Sequence, residues 1–330
     1  MSGMTTGDGE PRRRLFPEEL NGVDPVAAVM LADACRSIAA YPELVAVGPL
    51  FAAAERVAGG WQVVCPCDPL PQGARELLAD HLEDTAAFGG TPGPGPAVRP
   101  GPAVSPGAGA GPGSGPAAPV ARALLDAARE LRTRPVDDLT VAGRRFRIVR
   151  IEQLVRTGPD GPEPPRPTDL DPHPRDHRLP RCRPYDRLPD GQATPDLATA
   201  ELLCQLLDAA ARTGTEPSES FLTPVQLTPA FTVAERSEGR WRPVGRLHDT
   251  PQQARDSLAT YFRHVVPAVE RPGETELAAY AEAAGLMADS GRRNGIEVAG
   301  RRFRIVRLER LTLMGPEGPE PPRPSDADPR

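Results

Sequence analysis

At 330 residues the chain is long enough for two domains, each with a core of its own. Its net charge of −6 argues against general attraction to nucleic acid or to anionic membrane. All 39 cations are arginine, and the lack of lysine excludes Schiff-base, phosphate-loop and kinase-type lysine chemistry.

Five scattered cysteines make no disulfide framework. The polar start, Met1 to Glu10, lacks the apolar core of a signal peptide, and no apolar run approaches membrane-spanning length. The expectation is a cytoplasmic protein without membrane association, whose residues 1–23 are a disordered N-terminus.

Asp24-Pro25 opens a first helix, with Asp as cap and Pro in the first turn, running to about Ala40. Leu50 to Arg56, a Gly59-Gly60 turn and Trp61 to Val64 then read as a hairpin. The same pattern returns 180 residues later as Phe231 to Arg236, Gly239 and Trp241. It continues into a helix, pairing Pro71-Gln72 with Pro251-Gln252 and Ala74-Arg75 with Ala254-Arg255. Thr250 caps the later copy, with Gln253 where a capping box wants it, and Ala254, Leu258, Tyr261, Phe262 and Val265 keep helical spacing. The earlier copy answers with Ala74, Leu77, Leu78 and Leu82. A further helix follows in each, Val120 to about Arg132 and Thr275 to about Ser290. In the earlier copy, 19 of the 31 residues from Gly89 to Pro119 are Gly or Pro without a Gly-X-Y period; this reads as a disordered insertion within the unit.

Val141 to Arg150 recurs letter for letter as Val298 to Arg307, and 24 of the 32 positions from Val141 to Pro172 match those from Val298 to Pro329. Ala-Gly between two alternating runs predicts a β-hairpin. Period-two counting puts Phe146, Ile148 and Leu154 on one face, with Arg145, Arg147, Val149 and Ile151 on the other. A turn and a polyproline-like strap follow, Gly158 to Pro167 and its twin Gly315 to Pro324. Residues 173–194 read as a Pro/Arg-rich linker. A helix from Asp196 to about Thr213, with the stripe Ala200, Leu203, Cys204, Leu207 and Ala211, stands where a counterpart of the first helix would, although the two sequences scarcely match. The expected fold is α+β: two tandem homologous units, residues 24–172 and 195–330, each a small antiparallel sheet of two hairpins packed on two or three helices.

The Gly-Arg-Arg-Phe-Arg-Ile-Val-Arg run, the Gly-Pro-Asp/Glu-Gly-Pro-Glu-Pro-Pro-Arg-Pro strap, the upstream Trp hairpin and Thr250-Pro-Gln-Gln-Ala-Arg-Asp256 together resemble an actinobacterial family, domain of unknown function 5954, present as two tandem copies. The first copy departs from the helix-start motif at Leu70-Pro71-Gln72-Gly73. The resemblance implies the fold and a bacterial cytosolic setting, and no catalytic residue.

The candidate binding residues are the arginines of the two hairpins, Arg145, Arg147 and Arg150 with Arg302, Arg304 and Arg307, beside Arg144 and Arg301. Alternate Arg on an exposed strand can track a phosphate backbone or clamp an acidic partner. The simpler reading, favoured by the acidic whole, pairs them across the sheet with Glu55, Glu235, Glu152 or Glu309. Cys65 and Cys67 share one face of a strand but lack two further zinc ligands; His173, His177 and Cys182 read as solvated linker side chains. His81 falls on an apolar helix stripe and reads as a hydrogen-bonded core histidine, and Cys204 as a packed one. The P-x-x-P spacing of the straps suits either an aromatic groove or, more simply, a strap along its own unit. No catalytic residue, metal site or cofactor is nominated. The expectation is a non-enzymatic binding or scaffold module with duplicated surfaces and an unknown protein partner; nucleic-acid or acidic-partner binding through the Arg hairpins, or an enzyme site between the units, are the alternatives.

Overall fold

The computed structural model describes residues 25–88, 118–171, 186–189, 197–213, 217, 219–289 and 291–326. The expected N-terminal disorder, nearly all of the Gly/Pro insertion and His173, His177 and Cys182 lie outside them. The described elements run α1 (Pro25–Ala40), β1 (Glu43–Ala46), β2 (Leu50–Val57), β3 (Gly60–Val63), α2 (Pro71–Phe88), α3 (Ala118–Thr133), β4 (Asp138–Val141), β5 (Arg144–Gly158), β6 (Gly161–Pro162), β7 (Arg187–Pro189) and α4 (Leu197–Thr213). They continue as β8 (Thr223–Ser237), β9 (Arg240–Pro243), α5 (Pro251–Thr260), a π-helical turn (Tyr261–Val265), α6 (Val266–Val269), α7 (Glu274–Ala288), β10 (Gly295–Val298), β11 (Arg301–Gly315) and β12 (Gly318–Pro319).

The fold is α+β. The small sheets expected of each unit are joined into one of twelve strands, with the order β7-β3-β2-β5-β11-β8-β9 along its main path. The join is the antiparallel pair β5–β11, where Glu152 faces Leu311, Gln153 faces Arg310 and Leu154 faces Glu309. Residues 157 apart in sequence thus exchange places about Gln153 and Arg310, which is a local two-fold axis.

Each long hairpin strand forms for the reason its alternation implies. Phe146 and Ile148 turn into a core with Phe51, Leu78, Leu82, Leu124 and Leu131 from β2, α2 and α3. Phe303 and Ile305 do the same with Phe231, Leu258, Phe262, Tyr280 and Met287. Leu154 instead joins Leu311, Leu313, Leu202 and Leu206 in a core at the axis, covered by α4. On the opposite face Val149, Ile151, Trp61, Val63 and Leu188 pack with Leu227 and Met314 from the later half. The tight turns have Ala142 and Ala299 at φ +50°, then Gly143 and Gly300 at φ +76° and +73°, the left-handed pair that a two-residue hairpin requires.

Three stretches depart from expectation for identifiable reasons. β8 starts at Thr223 rather than Phe231 despite Pro224 and Pro229. β9 covers only Ala234 to Ser237, so among the described residues Pro224 lies on an open edge, and Pro229 sits where the register slips between Leu308 and Arg310. Residues 187–189, within the span read as linker, form β7 on the outer edge of β3. In α4 the buried positions are Thr199, Leu202, Leu206 and Ala210, one residue out of phase with the expected stripe, and Cys204 is exposed. The doublets Leu202-Leu203 and Leu206-Leu207 give two equally apolar faces, so periodicity alone could not choose.

The straps cross. β5 and β11 pair over three residues and then diverge, and each strap wedges into one opening. Glu163 donates its N–H to Arg156 O of its own strand and accepts at its carbonyl from Arg307 N of the other. Glu320 likewise donates to Leu313 O and accepts from Arg150 N. A Cβ on Gly318 would fall 2.6 Å from Trp61 Nε1, and one on Gly161 would strike the Trp241 ring. The proline segments therefore do find aromatic surfaces, each on the opposite half of the same chain rather than on its own.

Candidate functional site

The hairpin arginines divide into three depths. At the base of the cation row Arg144 forms a two-pronged pair with Glu55 at 2.6 and 2.7 Å, and Arg301 one with Glu235 at 2.7 and 3.0 Å. Toward the axis Arg150 and Arg307 are buried. Arg150 joins Glu152 and Asp326, with Arg323 bridging Glu152 and Glu320. Arg307 joins Asp169 and Glu309, with Arg166 bridging Glu309 and Glu163. Every member of one cluster stands 157 residues from its equivalent in the other, and each cluster draws its strand from one half and its strap from the other. Burial alone would raise the Glu309 carboxyl, but Arg307, Arg166 and Arg156 outweigh it and hold it at about 2. Of the six arginines expected to bind a partner, Arg150 and Arg307 are thus turned inward, because a guanidinium in a low-dielectric wedge must be matched by carboxylates.

The third level separates the halves. Arg145 and Arg147 lie over the Trp61 ring at 5.5 and 5.3 Å from its centre. Asp138 on β4 clamps both: Arg145 through Nε and Nη2 at 2.9 and 2.8 Å, Arg147 through Nε and Nη2 at 2.9 and 2.5 Å. Arg147 spends its Nη1 on the carbonyls of Glu317 and Pro319. Arg302 and Arg304 repeat this over Trp241, at 5.9 and 5.1 Å, and Arg304 Nη1 likewise donates to the Pro162 carbonyl at 2.9 Å. In place of Asp138, however, stands Gly295, paired with Arg304 in the same register as Asp138 with Arg147. Among the described residues no carboxylate takes the Nε/Nη2 edges of Arg302 and Arg304, although Glu297 stands across from Arg302.

Electrostatics follow the geometry. The Asp138 hydrogen bond raises the Arg145 pKa, whereas burial lowers that of Arg304, with Arg302 and Arg236 adding to the lowering and Tyr41 and Asp160 opposing it. Cover differs as well. Trp61 is 0% exposed, sealed in part by Leu188 of β7, while Trp241 is only partly buried and β9 carries no strand on its outer side among the described residues. Among the described residues the site is closed in the earlier half and open in the later one.

The remaining candidates are structural. β3 ends at Val63, so Cys65 and Cys67 do not share a strand face: Cys65 enters the α2 side, its thiol donating to Leu77 O at 3.5 Å, while Cys67 lies beside Arg310 in the opposite core. Burial pushes the Cys65 thiol up to about 12, so it stays protonated and inert. His81 packs edge-on against Phe146, and burial, then Arg144, lower its pKa. Its Nε2 has no hydrogen-bond partner among the described residues, so the expected bond is missing at that atom. No group of three or more His, Cys, Asp or Glu side chains among them is placed to hold a metal ion. No described helix is long and apolar enough to cross a membrane.

Two fully buried cations were not singled out by sequence. Arg75 bonds Asp137 at 2.7 and 3.0 Å, and Arg255 bonds Asp171 at 2.5 and 2.6 Å. Asn294 occupies the position of Asp137 and accepts from Arg255, leaving Asp171 of the crossing strap to supply the charge. The shared Pro-Gln-x-Ala-Arg spelling was the available signal.

Fold and surface together define an α+β protein built on one antiparallel sheet, with a Trp–Arg surface in two forms. Comparison then gives the lineage: the chain belongs to the family of unknown function DUF5954, whose model matches residues 24–97 and 113–329. No curated protein and no solved structure matches the chain.

Proposed function

We propose that this is a non-enzymatic binding module of the cytosol that takes an acidic protein partner on Arg302, Arg304 and Trp241. The observation that carries the reading is the exchange of Asp138 for Gly295. Among the described residues, two guanidinium edges bridged by a carboxylate in one half stand without one in the other, over a tryptophan in the same register. A carboxylate arriving there gains charge-assisted hydrogen bonds and relieves the repulsion among Arg302, Arg304 and Arg236. Arg145 and Arg147 are the same device satisfied internally. A peptide is favoured over nucleic acid because the internal occupant is a carboxylate and the molecule carries net charge −6.

The test uses intrinsic fluorescence, since the chain has two tryptophans and Trp61 is buried, so a surface event reports through Trp241. Hexaglutamate is expected to give a saturable change that weakens with salt. Gly295→Asp, which restores the internal carboxylate, should weaken binding by about tenfold or more, as loss of charge-assisted bonds worth roughly 1.5–3 kcal/mol implies. Undiminished binding by that variant removes the basis of the proposal. Tighter, steeply salt-dependent binding of a single-stranded oligonucleotide would move the assignment to nucleic acid.

A further inference from the structure

We propose that β9 is the docking edge for that partner, which adds to the sheet as one short antiparallel strand and lays a large aliphatic side chain on Trp241. This rests on the reading of Arg302 and Arg304 as a carboxylate site and adds to it the backbone geometry of the partner.

The precedent lies in the same molecule. β7 is three residues long, and it pairs with β3 so that Pro189 faces Gly60, Leu188 faces Trp61 and Arg187 faces Gln62. Val63 N–H donates to Asp186 O at 3.0 Å. Antiparallel bonding alternates by two, so the Trp61 and Leu188 backbones also point at each other. Leu188 is fully buried by this contact. β9 pairs with β8 in the register that β3 keeps with β2, Arg236 facing Trp241 as Arg56 faces Trp61. Its outward-pointing backbone groups are therefore those of Trp241, the positional twin of Trp61. Pro243 replaces Val63 and has no N–H to offer, so the docking register ends there.

The differences between the two edges set the partner's chemistry. Gln62 is replaced by Arg242 and Gly60 by Arg240, both exposed. With Arg236, Arg302 and Arg304 they make a basic margin, against which stand Glu238, 3.7 Å from Arg242, and Glu297. The residue that occupies the place of Arg187 must then be acidic rather than basic, because it would face Arg242 directly. A fitting segment is extended, with a leucine or similar residue opposite Trp241 and carboxylates beside it. Main-chain bonds would supply affinity and the flanking charges selectivity.

The probe is the hexapeptide of residues 185–190 carrying Arg187→Glu, titrated into the full chain with Trp241 fluorescence as readout. It should bind at least tenfold tighter than hexaglutamate, and lose at least tenfold when its leucine is replaced by serine or is N-methylated. Equal binding of hexaglutamate with no effect of N-methylation leaves the carboxylate site standing and overturns strand addition. No binding of either peptide, by the native chain or by Leu179→Ser, overturns both readings. The sequence also contains a second Arg-Leu-Pro, Arg178-Leu179-Pro180. Binding that appears only after Leu179→Ser would assign the edge to the chain's own segment and overturn the external partner.

Discussion

Glu309 shows how a single side chain records the packing of the whole junction. Its carboxyl sits at about 2 when folded and near 4.5 when free, so the unfolded chain takes up the proton first. The stabilisation is therefore complete above about pH 4.5 and is lost as pH falls from there toward 2. Urea midpoints measured across that window should drop steeply for the native chain. Glu309→Gln should start lower at neutral pH and decline less; an unchanged slope would place the acid sensitivity elsewhere. At this scale the sequence was informative in one respect: Glu55, Glu235, Glu152 and Glu309, the carboxylates expected to meet the arginines, do so. It was silent on Gly295, since the repeat is exact only from Val141 and Val298 onward, while the decisive difference lies three residues before each. For Arg75 and Arg255 the repeated Pro-Gln-x-Ala-Arg spelling marked the position but not the burial, because the carboxylate that matches each arrives from a distant segment.

Among the elements, the helix after each Trp hairpin separates pattern from outcome. Thr250 caps α5 by accepting from Gln253 N at 3.2 Å, while Gln253 Oε1 accepts from Asp249 N. The apolar stripe then holds through Phe262 and fails at the next turn: Val265 is 43% exposed and Val266 fully buried. A π turn from Tyr261 to Val265 takes in one extra residue and advances everything after it by one position. Its counterpart α2 is a continuous α-helix, and of its expected stripe Ala74, Leu78 and Leu82 are buried and Leu77 partly so. No feature of Tyr261 to Val265 announces the wider turn, so a strict 3.6 period picks the wrong valine. Truncation distinguishes the two: Val266→Ala should cost about 2 kcal/mol and Val265→Ala less than about 0.5 kcal/mol in chemical denaturation. Equal costs would mean that the stripe keeps α-helical phase.

For the molecule as a whole, self-similarity revealed the element types and their order, but not that β5 and β11 would join in one sheet. Pairing across the axis depends on Glu152, Gln153 and Leu154 finding Leu311, Arg310 and Glu309, contacts too distant in sequence for any local pattern to carry. The family match breaks off at 98–112, inside the Gly/Pro stretch between α2 and α3, whereas residues 270–273 suffice between α6 and α7. Deleting 98–112 about halves that connection, which lowers the closure penalty by roughly 0.6 kcal/mol. The melting temperature should hold or rise slightly; a large fall would show that the stretch takes part in the fold. The crossing straps carry a consequence for synthesis. Arg150 is translated well before Glu320, which takes its backbone N–H, and Asp326, which takes its side chain. Until that later strap has been made, β5 carries a cation whose dry pocket is incomplete, so the earlier half cannot finish folding alone during synthesis.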